Sequence, residues 1–487
     1  MEEGLPEIGH LSSRKNFRVP EPLGRAAFIS KGKHIIVGQR RNVGSTEALV
    51  FLGKCIEHTA LRDTYDANVW LDIQLPHVVY ICGKRGSGKS YDLGILVEGF
   101  GLGKLSKVTT KENPITTVVF DTQSQFWTSV VEPSDAIEED RKQLRTLKEW
   151  KLQPSSINNM KLFIPKGDSK LLGKEVEFMI SPTEMDVDDW CGLLQVERYS
   201  PMGQCMRSVY EKVTTSGYHY LSSGVTQREI AVSPKPDYEL SDLAECLKRD
   251  IELNDQTQKG TRDAVLWRLE SLVDSKLFGK SGLDIKDVIS PGYISVFMLR
   301  SLDDATKSLV VSVFAKKIFG IMGEYHTRRK VARRMGRDTG VPTGLPRGVW
   351  IIIDEAHVIC PSGRVTAAKP SLIEYVKRGR DAGLSLVLAT QQPAAIDSAV
   401  LSQVDLTLVH RLVLDSDIGA AISRFPSHFP SAVRMGERDI ADPRILIRLL
   451  DDGEVLLGDA ETDRGFLVLM RPRLTAHGGD EPTLLEP

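Results

Sequence analysis

Short apolar runs, each closed by a glycine-bearing or polar turn, recur along the chain at intervals filled by helical patterns. Val78-Val79-Tyr80-Ile81-Cys82 is continuously apolar and leads into a glycine-rich turn, the pattern of a strand covered on both faces of a parallel sheet. Thr116 to Asp121 repeats it after a helical stretch, and Ile294 to Leu299, Val349 to Ile353, Leu384 to Thr390 and Leu406 to His410 repeat it again. Strands alternating with helices predict an α/β core, a doubly wound and mostly parallel sheet built from residues 76–130 and 286–470.

Other stretches depart from that rhythm. Residues 1–23 are polar and proline-bearing and are expected to form a flexible lead-in. Residues 24–75 carry short β-type runs (Ala27 to Ile29, His34 to Val37, Ala48 to Phe51, Asn68 to Leu71) and predict a small β-barrel-like unit. Residues 131–285 turn charged and helix-rich and are expected to be a helical insertion. Pro133-Ser134-Asp135 opens one of its helices, with Glu138, Glu139 and Asp140 at the positive end of the dipole. Ala264 to Glu270 lies in another, and residues 471–487 form a C-terminal tail. The dense basic run from His326 to Arg337 follows a helix and leads into a Gly/Pro-bearing stretch; Arg328 to Arg337 reads either as a solvated exposed loop or as a surface that contacts nucleic-acid phosphates.

Composition narrows the classes. No run of 18 or more apolar residues is present, so no membrane insertion is expected. The acidic Met1-Glu2-Glu3-Gly4 start lacks the apolar stretch of a signal peptide, and six scattered cysteines without a Cys-x-x-Cys pair fit a reduced, cytoplasmic protein. Charge is nearly balanced, 63 Lys plus Arg against 65 Asp plus Glu, so any nucleic-acid contact must come from locally concentrated positive charge.

The first chemistry-bearing motif is Gly83-Lys84-Arg85-Gly86-Ser87-Gly88-Lys89-Ser90, a phosphate-binding loop between an apolar strand and a helix expected to be amphipathic. Glycines let backbone N–H groups turn inward around phosphate oxygens, and the helix starting near Lys89 aims its positive end at them. Lys89 is expected to reach the β- and γ-phosphates of ATP, and the Ser90 hydroxyl to sit on Mg²⁺. The nucleotide-contacting segment runs from Gly83 through Tyr91. The second is Ile351-Ile352-Ile353-Asp354-Glu355-Ala356-His357, an apolar strand ending in two acids. Asp354 is expected to hold the Mg²⁺ and Glu355 to act as general base on the attacking water. His357 either couples nucleotide state to the neighbouring strand or packs at the strand end. No Leu-Ser-Gly-Gly-Gln-like signature precedes Asp354, which argues against an ABC-type ATPase.

In this order the motifs resemble the HerA–FtsK branch of P-loop motors, and within it the HerA-like DNA translocases. The likeness extends over most of the chain, from about residue 24 to 483. It includes Gly53-Lys54 and Val69 to Asp72 ahead of the loop, Arg268-Leu269-Glu270 with Phe278 and Pro291-Gly292, and Asp354-Glu355-Ala356-His357. Lys377-Arg378-Gly379-Arg380, Thr390-Gln391-Gln392-Pro393, Ser402-Gln403, Arg471-Pro472-Arg473 and His477-Gly478-Gly479 continue it. The resemblance implies an RecA-like fold and a γ-phosphate-sensing amide at Gln391. It further implies an arginine finger at Arg380, with Arg378 as competitor, supplied to a neighbouring subunit. It implies a homo-hexameric ring that hydrolyses ATP to pull double-stranded DNA, working with a nuclease or other effector in end processing or antiphage defence. The alternatives are a nucleotide-regulated ring scaffold and a peripheral DNA or protein pump of a secretion or conjugation system. The chain departs from the family pattern where Asp121-Thr122-Gln123-Ser124-Gln125-Phe126 stands for Asp-x-x-Gly-Glu-Tyr, so that an amide replaces an acid at Gln125. Leu75-Pro76-His77 also stands where the family often has an arginine.

Overall fold

A computed structural model describes residues 5–6, 8–9, 17–19, 29–31, 33–40, 45–59, 64–223, 227–273, 275–336, 340–425, 433–435, 438–461 and 464–478. Its frame is one fourteen-stranded sheet. In chain order the strands are β1 (Ile29–Lys31), β2 (His34–Val37), β3 (Leu49–Cys55), β4 (Asn68–Asp72), β5 (Val78–Cys82), β6 (Thr117–Asp121) and β7 (Met160–Pro165). There follow β8 (Val176–Phe178), β9 (Ile294–Met298), β10 (Val349–Ile353), β11 (Leu384–Thr390), β12 (Leu406–Val409), β13 (Glu454–Asp459) and β14 (Arg464–Met470). Across the sheet they run β8-β7-β9-β6-β10-β11-β5-β12-β13-β14-β3-β4-β2-β1. From β8 to β12 every pairing is parallel. The expected apolar runs are thus buried on both faces, as Val349 to Ile353 and Leu384 to Thr390 are along their whole length.

The strands expected as a small barrel-like unit continue this sheet: β3 pairs antiparallel with β14 and β4, and β4 pairs parallel with β2. Ala27 and Phe28 of the run starting there lie outside the described residues. The 131–285 segment is helical in large part, including helices Glu138–Glu149 and Lys259–Val273, yet it also supplies β7 and β8 to the sheet edge. Leu162, Phe163 and Ile164 of β7 are buried, and Phe163 stacks on Phe297 of β9 at 5.0 Å, so packing against the core holds this strand within a charged stretch.

Two helices differ from expectation. Helix α1 (Lys89–Gly101), expected to be amphipathic, is buried on nearly every side. The segment after β14 covers its outer face. Arg471 and Arg473 are buried there, and both reach Glu98 of α1, with Arg471 Nη1 at 2.7 Å from Oε2. Glu98 Oε1 accepts the N–H groups of Leu474 and Thr475, at 3.0 and 2.9 Å. Burial pushes the Glu98 carboxyl up, but the two guanidiniums and these donors outweigh it and hold it below the usual carboxylate range. Glu98→Ala would leave two buried cations unpaired, so a loss of about 3–5 kcal/mol of stability is expected in chemical denaturation; less than about 1 kcal/mol would show the cluster to be dispensable. Because the folded carboxyl is the stronger acid, its contribution is full above the ordinary glutamate range and is lost as pH falls through the folded value.

The basic run is the end of a helix. Helix α2 (Asp304–Met335) has 32 residues, capped at its start by the Asp303 side chain accepting from Thr306 N–H and at its end by Gly336 at φ 63. Its buried residues reach only to Met322, so the last turns, with Arg329, Lys330, Arg333 and Arg334 exposed, extend beyond the core. Arg, Lys and Ala are good helix formers, and an exposed helix end tolerates their charge. Arg337 lies outside the described residues.

Candidate nucleotide-binding site

The carboxyl ends of the parallel strands make the site. Cys82 of β5 is in register with Thr390 of β11 and Val409 of β12, while Ile353 of β10 is in register with Phe120 of β6 and Leu388 of β11. The segments that follow these ends converge on one crevice, where ligands bind in open α/β sheets.

The phosphate loop leaves β5 with its backbone pinned on both sides. Gly83 N–H donates to Thr390 O at 3.3 Å, and Lys84 N–H to Arg411 O at 2.9 Å. Gly86 and Gly88 have φ of 74° and 115°, a left-handed backbone that only glycine adopts without strain. Lys89 opens α1; its Nζ donates to Lys84 O at 2.7 Å, and Ser87 Oγ donates to the same carbonyl at 2.8 Å. Burial pushes the Lys89 ammonium down, and the charges of Glu355 and Asp354 oppose that shift. Ser90 is half-buried at the start of the helix, whereas Arg85 and Gly86 are exposed. Tyr91, expected among the nucleotide contacts, turns its hydroxyl toward the C-terminal segment and accepts the Arg473 N–H at 2.7 Å.

The two acids follow β10. Asp354 is buried; its Oδ1 accepts the Glu355 N–H at 2.9 Å and its Oδ2 has no hydrogen-bond partner among the described residues. Burial, with Glu355 and Asp121 nearby, pushes its carboxyl up to about 8. A buried carboxylate with a spare oxygen beside a second acid fits a divalent cation, which would supply the missing positive charge; Ser90 and Asp354 would be the residues to hold it. Glu355 sits at φ 50°, and its Oε1 accepts a hydrogen bond from Gln391 Nε2 just past the end of β11. His357 Nδ1 lies 3.1 Å from Thr390 Oγ1 and 3.3 Å from Glu355 Oε2, so this imidazole joins β11 to the acid. Burial pushes it down while Glu355 pulls the other way.

The arginine motif is elsewhere. Arg378 closes helix α3 (Ala368–Arg378), ion-pairs with Glu374 at 2.5 Å and lies over the Phe319 ring at 5.6 Å. Arg380 follows in the turn before β11, exposed and with no side-chain hydrogen bond or ion pair among the described residues. It stands at the opposite end of β11 from Gln391, and seven strand residues separate the two by roughly 20 Å. Arg380 therefore faces away from its own phosphate loop.

Both departures from the family pattern have a structural counterpart. Asp121 keeps its carboxylate for the turn, accepting from Gln123 and Phe126 N–H at 3.2 and 2.8 Å, and burial pushes it up to about 6. Ser124 takes φ 55° in that turn, where the family pattern has glycine, and Gln125 accepts the Thr128 hydroxyl on its backbone oxygen at 3.0 Å. His77 is buried beside Asp405 at 3.1 Å and pushed down to about 3 by burial and by Arg40. Arg40, from the segment after β2, ion-pairs with Asp405 and donates to Pro76 O at 3.1 Å. An arginine thus reaches this position from another part of the chain.

Residues 53–318 match the family model of the HerA helicase central domain. The chain belongs to that family. The match ends before Asp354, so the acid pair rests on the geometry above. Among HerA relatives, the DNA double-strand break repair helicase HerA of Sulfurisphaera tokodaii is 27% identical over 172 residues, 35% of this chain and 32% of that protein. The protein of the same name from Saccharolobus solfataricus is 22% identical over 247 residues, 50% of this chain and 45% of that one. The chain thus spans from about a third to under half the length of these relatives. The structure of VirB4 of Thermoanaerobacter pseudethanolicus superposes with a TM-score of 0.50 at 13% identity, covering 88% of this chain and 97% of that one. That likeness is one of fold, the RecA-like arrangement of sheet and helices.

Proposed function

We propose that this chain is one subunit of a homo-hexameric, ATP-hydrolysing ring that translocates double-stranded DNA. The observation that carries this reading is the division of the catalytic groups. Lys89, Asp354, Glu355 and Gln391 gather at one end of the sheet, while Arg380 is exposed at the other and unpaired among the described residues. An exposed guanidinium that cannot serve its own site suits the nucleotide bound to the next subunit, and a closed ring gives every site such a neighbour. In each site the loop amides and Lys89 hold the phosphates, Glu355 takes the proton of the attacking water, and Gln391 fixes the Glu355 carboxylate. Mg²⁺ bound at Ser90 and Asp354 would neutralise phosphate charge.

DNA as substrate is supported by the names of the HerA relatives and by the exposed cations on the last turns of α2. A nuclease or other effector partner, in end processing or antiphage defence, completes the reading. A cytoplasmic location accords with it, and among the described residues no helix is long and apolar enough to cross a membrane. The test is ATP turnover with and without linear duplex DNA, together with DNA affinity across a salt series. Turnover is expected to rise several-fold, and Arg333→Glu with Arg334→Glu to flatten the salt slope by about two. Turnover indifferent to DNA, with no salt-dependent binding, would favour a nucleotide-regulated scaffold.

A further inference from the structure

The residue that ends the β12 run is a histidine built into the floor of the phosphate loop. His410 is fully buried and its N–H donates to Cys82 O at 2.8 Å, which aligns it with the last residue before the loop. Its Nε2 lies 2.8 Å from Oδ2 of Asp92, on the first turn of α1 and 1% exposed. The ring fills the space that the loop's glycines leave open. A Cβ on Gly83 would stand 2.5 Å from the His410 Cβ, and one on Gly88 would stand 3.1 Å from Cε1.

The next peptide extends the contact. Arg411 O accepts the Lys84 N–H at 2.9 Å, and Lys84 O in turn receives both Lys89 Nζ and Ser87 Oγ. Two adjacent residues of one strand end therefore fix the loop at Gly83, Lys84 and Gly88, and through Lys84 they set where Lys89 rests. Apolar side chains, among them Val79, Leu96, Leu406 and Leu408, line a small void beside Asp92. Placing a polar pair in such surroundings costs desolvation, and Asp92 Oδ1 and His410 Nδ1 find no hydrogen-bond partner among the described residues. Simple core filling would be served better by an apolar residue.

We propose that His410, anchored by Asp92, is a positioning residue that holds the phosphate loop in its nucleotide-binding shape and ties that shape to β12. This rests on the nucleotide-site reading above. The loop meets the phosphates in the ground state and the transition state alike, so the pair contributes to binding uniformly and acts on KM rather than kcat.

The test is MgADP titration by calorimetry and steady-state ATP hydrolysis with full-length protein. His410→Phe keeps a ring in the wedge and removes the bond to Asp92. It is expected to raise both the MgADP Kd and the ATP KM about tenfold, the scale of one charged hydrogen bond, with kcat within about threefold. Asp92→Asn, whose amide oxygen still accepts the Nε2–H, is expected to stay within about threefold of wild type, while Asp92→Leu matches His410→Phe. Lower thermal stability with an unchanged Kd would reduce the pair to a structural contact and overturn the proposal, as would a fall in kcat at constant KM. Wild-type protein that binds no MgADP would instead overturn the nucleotide-site reading, and this inference with it.

Discussion

Arg380→Ala is expected to lower ATP turnover about 10³–10⁵-fold, or roughly 4–7 kcal/mol, while leaving MgATP binding to the same chain within about threefold. The size follows from placing a guanidinium on phosphate oxygens as charge develops during transfer. The unchanged binding follows from the roughly 20 Å of β11 between Arg380 and the end of the sheet that holds the loop. Mixing makes the assay sharper. Arg380→Ala subunits retain an intact loop, and Lys89→Ala subunits retain an intact finger. Co-assembled rings therefore contain some complete sites and regain turnover that neither variant shows alone. Arg378→Ala, whose side chain is engaged by Glu374 and Phe319, is expected within about threefold of wild type. Turnover of Arg380→Ala within tenfold of wild type, or mixtures that never recover, would remove the shared site and with it the argument for a ring.

Glu355→Gln is expected to lower kcat about 10²–10⁴-fold with little effect on nucleotide affinity, measured by single-turnover hydrolysis beside a binding titration. An amide keeps the size of the carboxylate and its place against Gln391, yet it cannot accept the proton of the attacking water. Its position is already defined in the free protein: backbone at φ 50°, Gln391 on one oxygen, His357 near the other. A loss that appeared in nucleotide affinity and spared kcat would assign Glu355 to phosphate or metal binding and leave the base unidentified.

Much of this site was readable from residues close together in sequence. Gly83 to Ser90 and Asp354-Glu355 carry their chemistry in spacing alone, and the apolar runs ahead of them place both at strand ends. Groups that depend on distant contacts left no such mark. Asp92 and His410 are 318 positions apart, and Glu98 and Arg471 are 373 apart. Asp92, Glu98 and His410 stand in no motif, and the Arg471-Pro472-Arg473 motif does not name the acid it meets. Helix α1 reads as amphipathic because Asp92 and Glu98 look solvated until the segment that buries Glu98 is in place. Strands β13 and β14 carry apolar runs of their own, Val455 to Leu457 and Phe466 to Met470, but nothing local to them shows that they pair with each other and carry the sheet on to β3. The basic end of α2 reads as a loop from its charge alone, whereas the propensity of those residues and Gly336 at the cap decide for helix.

The covering of α1 by residues 471–476 also bears on how the chain is made. On the ribosome the phosphate loop and its helix emerge long before Arg471, so Glu98 waits 373 positions of chain for the first of its cations. The β3 edge waits longer still for β14. Vectorial synthesis therefore delivers the nucleotide helix well before the segment that covers it. The nascent chain must carry an uncovered helix and an open sheet edge until residues 464–476 have cleared the exit tunnel, which makes that interval the natural point for a chaperone to engage.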